Sequence, residues 1–519
     1  MNSRTGKLDY DQIMQLALET RPRLIVAGYT SYSWAPDWAR FRQIADAVGA
    51  YLMADIAHPA GMAIAGCYPN PIDYADVVTF TTHKTICGPR GAVIMTTDEE
   101  RAAQIDAAVF PGAQGGPHTN KFAAMAVAFR IAQTEAFKDL QQRIVDNAQA
   151  LAKGLTDRGL RLAYGGTDTH LMLIDLKSVS SPTGYPLYGE LAARVLDIAG
   201  IVTNKNTIPG DLETALATGI RLGTPWVTQL GMTASQMDEL AELIHRVLTN
   251  LHPFTYIGLV GTLPRGKIAF DLLEDVKRDV DALATALTHE HPAAEGHEYP
   301  HFPMLPAHPV VKRPMLADPR GLPQLGGLDA ARGGCALFDR SDMGVLAIGR
   351  GRAFPFLQEV CTADLSGLQP GWMTRSFVLD KDGKLIDDVV VMRRENDQRG
   401  RAAFYVLTNV ENTERMKAWL RGLADGYILF DNDDIFRKVQ GPATVEDDSD
   451  PDGWVVMELF GPQAWETLKG VVPNVPDLAE RAFAAVDGLL VARGAKDLLL
   501  DVLVMARRAR ARRLWRALV

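Results

Sequence analysis

The feature that most constrains the fold is an alternation of apolar, strand-like runs with helix-like segments between residues 24 and 97. The four runs predicted to be strands are LIVAG (24–28), YLMADI (51–56), VVTFTT (77–82) and GAVIMTT (91–97). Between the first two, the segment 38–49 places apolar side chains at helical spacing and ends in a glycine that can stop a helix. This order is typical of an α/β fold in which helices cover a parallel sheet.

Length and composition set the class of protein. At the usual ~100–200 residues per domain, 519 residues predict about three domains. Hydrophobic residues make up 47% of the chain and charged residues 23%, which is the balance of a globular protein with sizeable cores. The formal charge of −9 provides no basic field for phosphate backbones, so nucleic acid is not predicted as a partner.

The sequence also predicts a cellular compartment. No apolar run approaches the ~18–20 residues of a membrane span, and the N-terminal MNSRTGKLDYDQ lacks the apolar core of a signal peptide. The four cysteines show no CxxC spacing, which supports neither a zinc ribbon nor a disulfide scaffold. We therefore predict a cytoplasmic protein with no membrane partner and no metal site.

Changes in pattern along the chain predict the domain boundaries. Residues 1–160 form a predicted large α/β domain, and residues 161–288 a smaller α+β domain. Residues 289–325 are dense in Pro and His without a sustained period. Proline at that density blocks helices and sheet ladders, so this stretch is predicted to be a linker. A globular pattern resumes over 326–519, the last predicted domain.

Two local signals predict individual elements. Thr233 and Gln236 have the spacing of a capping box ahead of an apolar helical stripe, which indicates a helix packed on a core. The residues D-K-D-G at 380–383 stand between two apolar runs, which predicts a β-hairpin.

Two polar residues stand where open α/β sheets bind their ligands. Asp55 follows YLMA and Lys84 follows VVTFTTH, at the carboxyl ends of predicted strands. A carboxylate there can keep a pyridine nitrogen protonated, and a partly desolvated lysine has a lowered pKa and can form an imine with an aldehyde. The pair therefore has the chemistry that pyridoxal phosphate (PLP) requires. On these two residues alone, a capping Asp and a surface Lys remain the alternative.

The surrounding sequence carries the motifs of a known family. DIAHPAG (55–61) and YADVVTFTTHKTICGPRG (74–91) closely resemble serine hydroxymethyltransferase. The resemblance continues through VFPGAQGGPHTNKFAAMAVAF (109–129), GGTDTHLMLIDL (165–176), GIVTNKNTIPGD (200–211) and TGIRLGTP (218–225). It covers about residues 1–285 and implies an α/β fold-type-I PLP-dependent transferase body, with a parallel-rich sheet, helices and a small α+β domain.

The resemblance implies a role for each matching residue around the cofactor. Lys84 matches the lysine that forms the Schiff base with PLP, and Asp55 matches the partner of the pyridinium nitrogen. His58 matches the residue that contacts the ring oxygen of the cofactor. Further cofactor-binding residues implied around the ring are Thr30, Thr81 and His83.

The family motifs also imply substrate contacts and an assembly. Arg221 matches the binder of the substrate carboxylate, a task suited to a planar guanidinium that bonds bidentately. Gly115 and Gly116 match a turn whose backbone approaches a phosphate in the neighbouring subunit's site, which implies a homodimer or a larger assembly. Asn206 matches the family's contact to the folate pterin.

The second half has a resemblance of its own. Residues 333–394, with VLTNVENTERMKAWL (406–420) and VVMELFGPQAWETL (455–468), resemble the first half of the glycine-cleavage aminomethyltransferase, or T-protein. This implies an α+β folate-binding domain. In that family an Asp of the IDD motif lies near the folate amine, so either Asp387 or Asp388 is implied there, where a carboxylate can position and deprotonate the amine.

Together the resemblances imply a fusion of two tetrahydrofolate-using modules. The implied reaction is reversible transfer of the hydroxymethyl carbon from L-serine to tetrahydrofolate, giving glycine and 5,10-methylenetetrahydrofolate, with PLP as cofactor. One alternative is a PLP-dependent aldolase on β-hydroxy amino acids, which keeps Lys84 and Arg221 but needs no folate. Another is a truncated, non-catalytic partner subunit, favoured because the family's N-terminal phosphate-binding Ser/Gly loop has no counterpart here. On that count we expect weak PLP binding by the chain as written.

Overall fold

The structure is a computed structural model that describes residues 6–258, 261–290, 327–449, 453–495 and 501–518. The described residues divide into two compact units. Unit 1 holds those up to 266 together with 271–290, and unit 2 holds 267–270 and those from 327 onwards. From residue 291 on, the predicted linker lies outside the described residues.

The described chain up to residue 290 alternates helices and strands. Its helices are α1 (Tyr10–Thr20), α2 (Trp38–Val48), α3 (Ala60–Ala65), α4 (Glu99–Ala107), α5 (Thr119–Ile131), α6 (Glu135–Asp157), α7 (Gly189–Ile198), α8 (Pro225–Gln229), α9 (Ala234–Thr249) and α10 (Phe270–Glu290). Its strands are β1 (Leu24–Gly28), β2 (Tyr51–Asp55), β3 (Val77–Thr81), β4 (Ala92–Met95), β5 (Leu171–Asp175), β6 (Asn204–Asn206), β7 (Gly219–Gly223), β8 (His252–Gly258) and β9 (Gly261–Ala269).

Strands β1 to β4 form the sheet that positions the candidate site, in that spatial order. The first three strands are parallel, whereas β4 runs antiparallel to β3. The chain between Thr81 and Ala92 contains turns and no helix. Because a parallel pair of strands needs a longer crossover connection, this short connection allows β4 to pair only antiparallel to β3. One face of the sheet is buried in a core shared with α2 and α3, which includes Trp38, Phe41, Leu52, Met62, Val78 and Phe80.

The opposite face of this sheet carries exposed apolar side chains. The strand register sets Leu24 beside Tyr51, and alternation of side chains puts Val26 on the same face. Ile94 lies on this face too, because it pairs with Thr79, and residues paired across strands point to the same face. We call these four residues the open sheet face; their exposed fractions are 49% for Leu24, 58% for Val26, 56% for Tyr51 and 45% for Ile94. Parallel sheets usually bury both faces, so this surface departs from the common pattern.

A second part of unit 1 is built on an antiparallel sheet in the order β5-β7-β6. Its helix α9 begins at the predicted capping box, where Thr233 and Gln236 exchange hydrogen bonds with each other's backbone. The apolar stripe of α9 is buried, as the sequence predicts. Gly154 of α6 lets the two helices approach, because a Cβ there would lie 2.9 Å from the Ala241 Cβ.

Unit 2 contains mainly strands. Its helices are α11 (Gly327–Gly333), α12 (Ala353–Val360), α13 (Thr413–Asp425), α14 (Ala464–Val471) and α15 (Arg508–Leu518). Its strands are β10 (Ala336–Asp339), β11 (Gly344–Gly349), β12 (Trp372–Leu379), β13 (Leu385–Arg394), β14 (Ala403–Thr408), β15 (Ile428–Leu429), β16 (Thr444–Asp447), β17 (Trp454–Phe460), β18 (Phe483–Val486), β19 (Leu489–Arg493) and β20 (Val502–Arg507).

Two antiparallel sheets of five strands make up the body of unit 2. Their strand orders are β12-β13-β14-β11-β16 and β10-β17-β20-β19-β18. Buried side chains of both sheets share one core, for example Met392 of β13 and Met505 of β20, so the sheets pack face to face. The predicted hairpin joins β12 to β13, and Gly383 takes the left-handed conformation that the turn requires, with φ +78°.

Candidate functional site

The candidate site lies at the carboxyl ends of β2 and β3. Asp55 is the last residue of β2, and its Oδ1 accepts the backbone N–H of Ala57 at 3.0 Å. On the neighbouring strand, a Cβ at Gly28 would lie 2.4 Å from the Asp55 carbonyl oxygen. Strand β1 can therefore approach this point only because Gly28 has no side chain.

Lys84 lies in the turn after β3, where its side chain is partly buried. Burial lowers the pKa of its amine, Asp55 opposes that shift, and the positive charges of Arg221 and Arg90 add to it. The net effect is a pKa below the ordinary lysine value, so a larger fraction of the amine is neutral. A neutral amine is the form that attacks a carbonyl carbon.

Hydrogen bonds fasten the turn that carries Lys84 to the segment after β2. Thr81 donates its hydroxyl to the Ala57 carbonyl at 3.0 Å. Thr85 donates its hydroxyl to the His58 carbonyl at 2.5 Å. The backbone on both sides of Lys84 is thus tied to the segment that carries His58.

A second imidazole pairs with His58. The distance from His58 Nδ1 to His170 Nε2 is 3.4 Å. Burial lowers the pKa of His58 to about 4, and the charges of Lys84 and Arg221 lower it further. Burial likewise lowers the pKa of His170 to about 3. Both rings are therefore neutral near pH 7.

Arg221 reaches the site from β7. Its Nη1 donates to the Thr30 carbonyl at 2.7 Å, and its Nη2 donates to Asn204 Oδ1 at 3.2 Å. Burial lowers the pKa of Arg221, but a guanidinium stays charged in proteins. Asn206 donates its Nδ2 to Ser31 Oγ at 2.9 Å, so β6 meets the loop after β1 beside this arginine. The guanidinium is held in a defined orientation.

Other residues implied by the sequence lie differently. Thr30 is exposed and offers Arg221 its backbone carbonyl, not its hydroxyl. His83 has a buried Nδ1 with no hydrogen-bond partner among the described residues. Gly115 and Gly116 lie on an exposed segment, where a Cβ at either position would meet no atom within 4 Å. Thr30 therefore contacts Arg221 only through its backbone, and the two glycines have open space around them.

Sequence reasoning missed His170, Asn204 and a group of aromatic side chains. Asp55 and His58 line a pocket together with several aromatic side chains. These are Tyr29, Tyr32, Trp34 and Tyr68. Burial raises the pKa of Tyr32 to about 12, which keeps its phenol protonated. The stretch YTSYSW (29–34) directly after β1 was an available signal, because loops at the carboxyl ends of parallel strands line the sites of such sheets.

In unit 2 the two aspartates of the IDD motif have different surroundings. Asp387 is 1% exposed and accepts three N–H groups, from the Asn409 backbone at 3.0 Å, Asn409 Nδ2 at 2.9 Å and Asn412 Nδ2 at 2.8 Å. Asp388 is partly exposed and forms an ion pair with Arg375, whose Nε lies 2.8 Å from its Oδ1. Asp387 therefore fixes the residues after β14, whereas Asp388 stands at the surface.

Replacing Asp387 with asparagine should destabilise unit 2. The carboxamide keeps the shape of the side chain but turns an NH2 group toward amide donors, which leaves buried N–H groups unpaired. Loss of one or two charge-assisted bonds costs about 2–4 kcal/mol in the free energy of unfolding. Urea unfolding of the full chain measures it. The matched change Asp388→Asn should cost about 1 kcal/mol or less, because a partly exposed ion pair contributes little; equal losses would contradict this account.

The histidine pair predicts a loss of stability in acid. The folded-state pKa values of His58 and His170 lie below the ~6.5 of an unfolded histidine, so the unfolded chain binds protons first as the pH falls. The contribution of the pair to the free energy of unfolding is therefore constant above that value and falls as the pH drops toward about 3. By pH 5, His170 alone accounts for about 2 kcal/mol. Urea unfolding at pH 7 and pH 5 measures the change, and His170→Gln should reduce it.

Three further observations concern metals, membranes and thiols. Among the described residues, no three His, Cys, Asp or Glu side chains come together in a group that could hold a metal ion. In the same parts of the chain, no helix is both long and apolar enough to cross a membrane. All four cysteines are free thiols, and burial raises the pKa of Cys361 to about 11.

Comparison with known families gives two matches. Residues 1–244 match the family model described as serine hydroxymethyltransferase, and residues 327–493 match the GCVT N-terminal domain. Both resemblances inferred from the motifs are confirmed. The predicted fold class is confirmed as well: a mixed α/β body with a parallel-rich sheet matches the first family model, and a body of antiparallel sheets and helices matches the second.

One curated relative extends the first match. A serine hydroxymethyltransferase from Nitrosococcus oceani is 47% identical over 260 residues. The aligned part covers 50% of this chain and 61% of that protein. The chain thus spans about three fifths of the length of the curated relative it matches.

Proposed function

Because residues 1–244 match the serine hydroxymethyltransferase family, we propose that the chain transfers the hydroxymethyl carbon reversibly between L-serine and tetrahydrofolate, with PLP as cofactor. The observation that carries the proposal is that Asp55 and Lys84 follow neighbouring strands of the larger sheet, and that Arg221 reaches the same carboxyl end of that sheet from β7. The charges of Asp55 and Arg221 both act on the pKa of Lys84, so the three lie within electrostatic reach of one another.

The residues at the carboxyl ends of these strands fit the ring side of PLP. Asp55 offers a carboxylate for the pyridine nitrogen, and Lys84 offers an amine with a lowered pKa for the aldehyde. His58 offers a neutral imidazole for the ring oxygen. The buried Nδ1 of His83, without a partner among the described residues, leaves one more hydrogen-bonding atom beside Lys84. When bound, PLP would supply the electron sink for cleavage at the α-carbon of the amino acid.

Three side chains would then have separate roles in the reaction. Asp55 would hold a proton on the ring nitrogen, because a nearby carboxylate raises the pKa of that nitrogen. Lys84 would bind the aldehyde carbon through Nζ and, once the substrate amine has displaced it, accept or return a proton at Nζ. Arg221 would orient serine through its carboxylate, since two contacts already fix the guanidinium plane.

For the one-carbon acceptor we propose folate contacts in both units. Asn206, held by Ser31, would contact the pterin at the first site. In unit 2, Asp388 is the better candidate for the folate amine, because Asp387 is 1% exposed and already accepts three N–H groups. The match of residues 327–493 to the GCVT N-terminal domain supports a folate role for this unit.

Assembly into at least a homodimer and a cytoplasmic location are part of the same proposal. The exposed turn with Gly115 and Gly116 has the open space that a phosphate of a neighbouring subunit's site would need. Four free thiols suit a reducing compartment. Serine, glycine and folate are the proposed partners, with neither nucleic acid nor membrane among them.

The test of the function is transfer of an isotope-labelled carbon from serine to tetrahydrofolate by the full chain in an excess of PLP, because weak PLP binding is expected. We expect labelled methylenetetrahydrofolate and glycine in equal amounts. Glycine released from β-hydroxy amino acids without any need for folate would instead support an aldolase. A chain whose absorbance spectrum does not respond to PLP would support a non-catalytic partner subunit.

A further inference from the structure

The contact between His58 and His170 has the geometry of an edge-to-edge pair. The ring centroids are 5.6 Å apart and the planes differ by 22°, while the facing nitrogens are 3.4 Å apart. The centroid distance exceeds the nitrogen distance by about the width of one imidazole ring. The line between His58 Nδ1 and His170 Nε2 therefore runs nearly along the line between the centroids, as in an in-plane N–H···N hydrogen bond.

Both rings are held by their backbones. The His58 carbonyl accepts the Thr85 hydroxyl at 2.5 Å. The His170 carbonyl accepts the backbone N–H of Thr224 at 3.0 Å, and His170 directly precedes β5. The fold therefore fixes the backbone positions from which the two rings reach each other.

Only one proton fits between the two facing nitrogens, since both rings are neutral. The proton belongs either to His170 Nε2 or to His58 Nδ1, and the choice decides the tautomer of each ring. If His58 Nδ1 carried it, His170 would have to carry its own proton on Nδ1. That atom is buried and has no hydrogen-bond partner among the described residues. A buried N–H without an acceptor is rarer than a buried acceptor without a donor, so this arrangement is disfavoured.

We propose that His170 is a positioning residue that donates its Nε2–H to His58 Nδ1 and thereby keeps the proton of His58 on Nε2. His58 then presents an N–H donor on the nitrogen that His170 does not engage. This inference rests on the proposed function at one point only. The proposed function identifies the acceptor of the His58 Nε2–H as an oxygen of the bound cofactor. His170 would make no contact with the cofactor for this role.

The surrounding charges favour the neutral pair. Burial lowers the pKa of both rings, and the positive charges of Lys84 and Arg221 lower the pKa of each one further. Protonating either histidine would place a third cation in this part of the site. The tautomer arrangement should therefore hold throughout the neutral pH range.

Histidine-selective 15N labelling of the full, cofactor-free chain tests the proposal at pH 7. His58→Gln assigns the His58 signals. Long-range 1H–15N spectra should show His58 protonated on Nε2 and bare on Nδ1, and His170 protonated on Nε2, with a scalar coupling across the N–H···N bond. A proton on Nδ1 of either ring would overturn the proposal. Because no cofactor is present, this result is independent of whether the proposed function is correct.

Two variants separate positioning from packing. His170→Gln keeps an N–H donor at about the reach of Nε2, whereas His170→Met keeps the volume and removes the donor. We expect PLP affinity, measured by absorbance titration, to fall roughly three- to tenfold in His170→Met and less than about twofold in His170→Gln. Equal losses in the two variants would overturn the positioning role. If PLP binds neither to the variants nor to the original chain, the proposed function is wrong. The tautomer result, which is measured without cofactor, is not affected.

Discussion

Borohydride reduction of the PLP-loaded chain should attach the pyridoxyl group to Lys84. Its amine has a lowered pKa, because it is partly buried and lies near Arg221 and Arg90, and it follows β3 beside Asp55, so it is placed to bind an aldehyde at neutral pH. Lys84→Gln should lower hydroxymethyl transfer by about 10²–10⁴-fold, because it removes both the covalent anchor and a proton-transfer group. Peptide mass mapping locates the label, and the labelled-carbon assay measures the rate.

An exposed lysine provides the control. Lys138 forms an ion pair with Glu135 on the surface of α6, so Lys138→Gln should leave both labelling and transfer unchanged. A pyridoxyl group on any other lysine, or full transfer by Lys84→Gln, would show that the cofactor is held elsewhere.

Changing Arg221 to lysine should weaken serine binding by about tenfold or more while leaving the absorbance spectrum of bound PLP unchanged. Lysine keeps the charge but cannot donate to Thr30 and Asn204 while also forming two parallel bonds to a carboxylate. The loss of a bidentate, charge-assisted contact accounts for the factor. Serine titrations followed by absorbance measure the dissociation constant.

Arg194→Lys is the matched control, since Arg194 forms an exposed pair with Glu190 on α7. It should bind serine as the original chain does. Unaltered serine affinity in Arg221→Lys would remove Arg221 from the substrate site, whatever the fate of the Lys84 prediction.

Local patterns were sufficient to predict the elements that carry the site. The segment 38–49 is a helix over Trp38–Val48, and Gly49 ends it in the left-handed conformation with φ +68°. The runs before and after it are β1 and β2, because apolar strand spacing and helical spacing alternate there without interruption. These features depend on neighbouring residues, which the sequence displays directly.

Contacts between distant residues could not be predicted in the same way. His58 and His170 are 112 positions apart, and Arg221 is 191 positions from Thr30. Their pairing depends on how the β5-β7-β6 sheet packs beside the larger sheet, which no local period encodes. The direction of β4 was missed for a related reason, since an apolar run indicates a strand without indicating which way it is paired.

The adjacent residues Asp387 and Asp388 show a different limit. Successive side chains of a strand point to opposite faces, so a motif with two aspartates places one inward and one outward. The IDD motif alone does not show which of the two aspartates points inward. The burial of Asp387 against Asn409 and Asn412 gives the answer, and it depends on the turn after β14.

The open sheet face should favour association of the chain in concentrated solution. Leu24, Val26 and Tyr51 stand about half exposed on adjoining strands, so any contact that covers them gains roughly 25 cal/mol for each Å² of apolar area removed from water. That gain weakens on cooling and strengthens with sulfate or phosphate salts. Solubility should consequently be highest in the cold and in dilute chloride buffers, and precipitation on warming would reflect this surface even while each molecule keeps its fold.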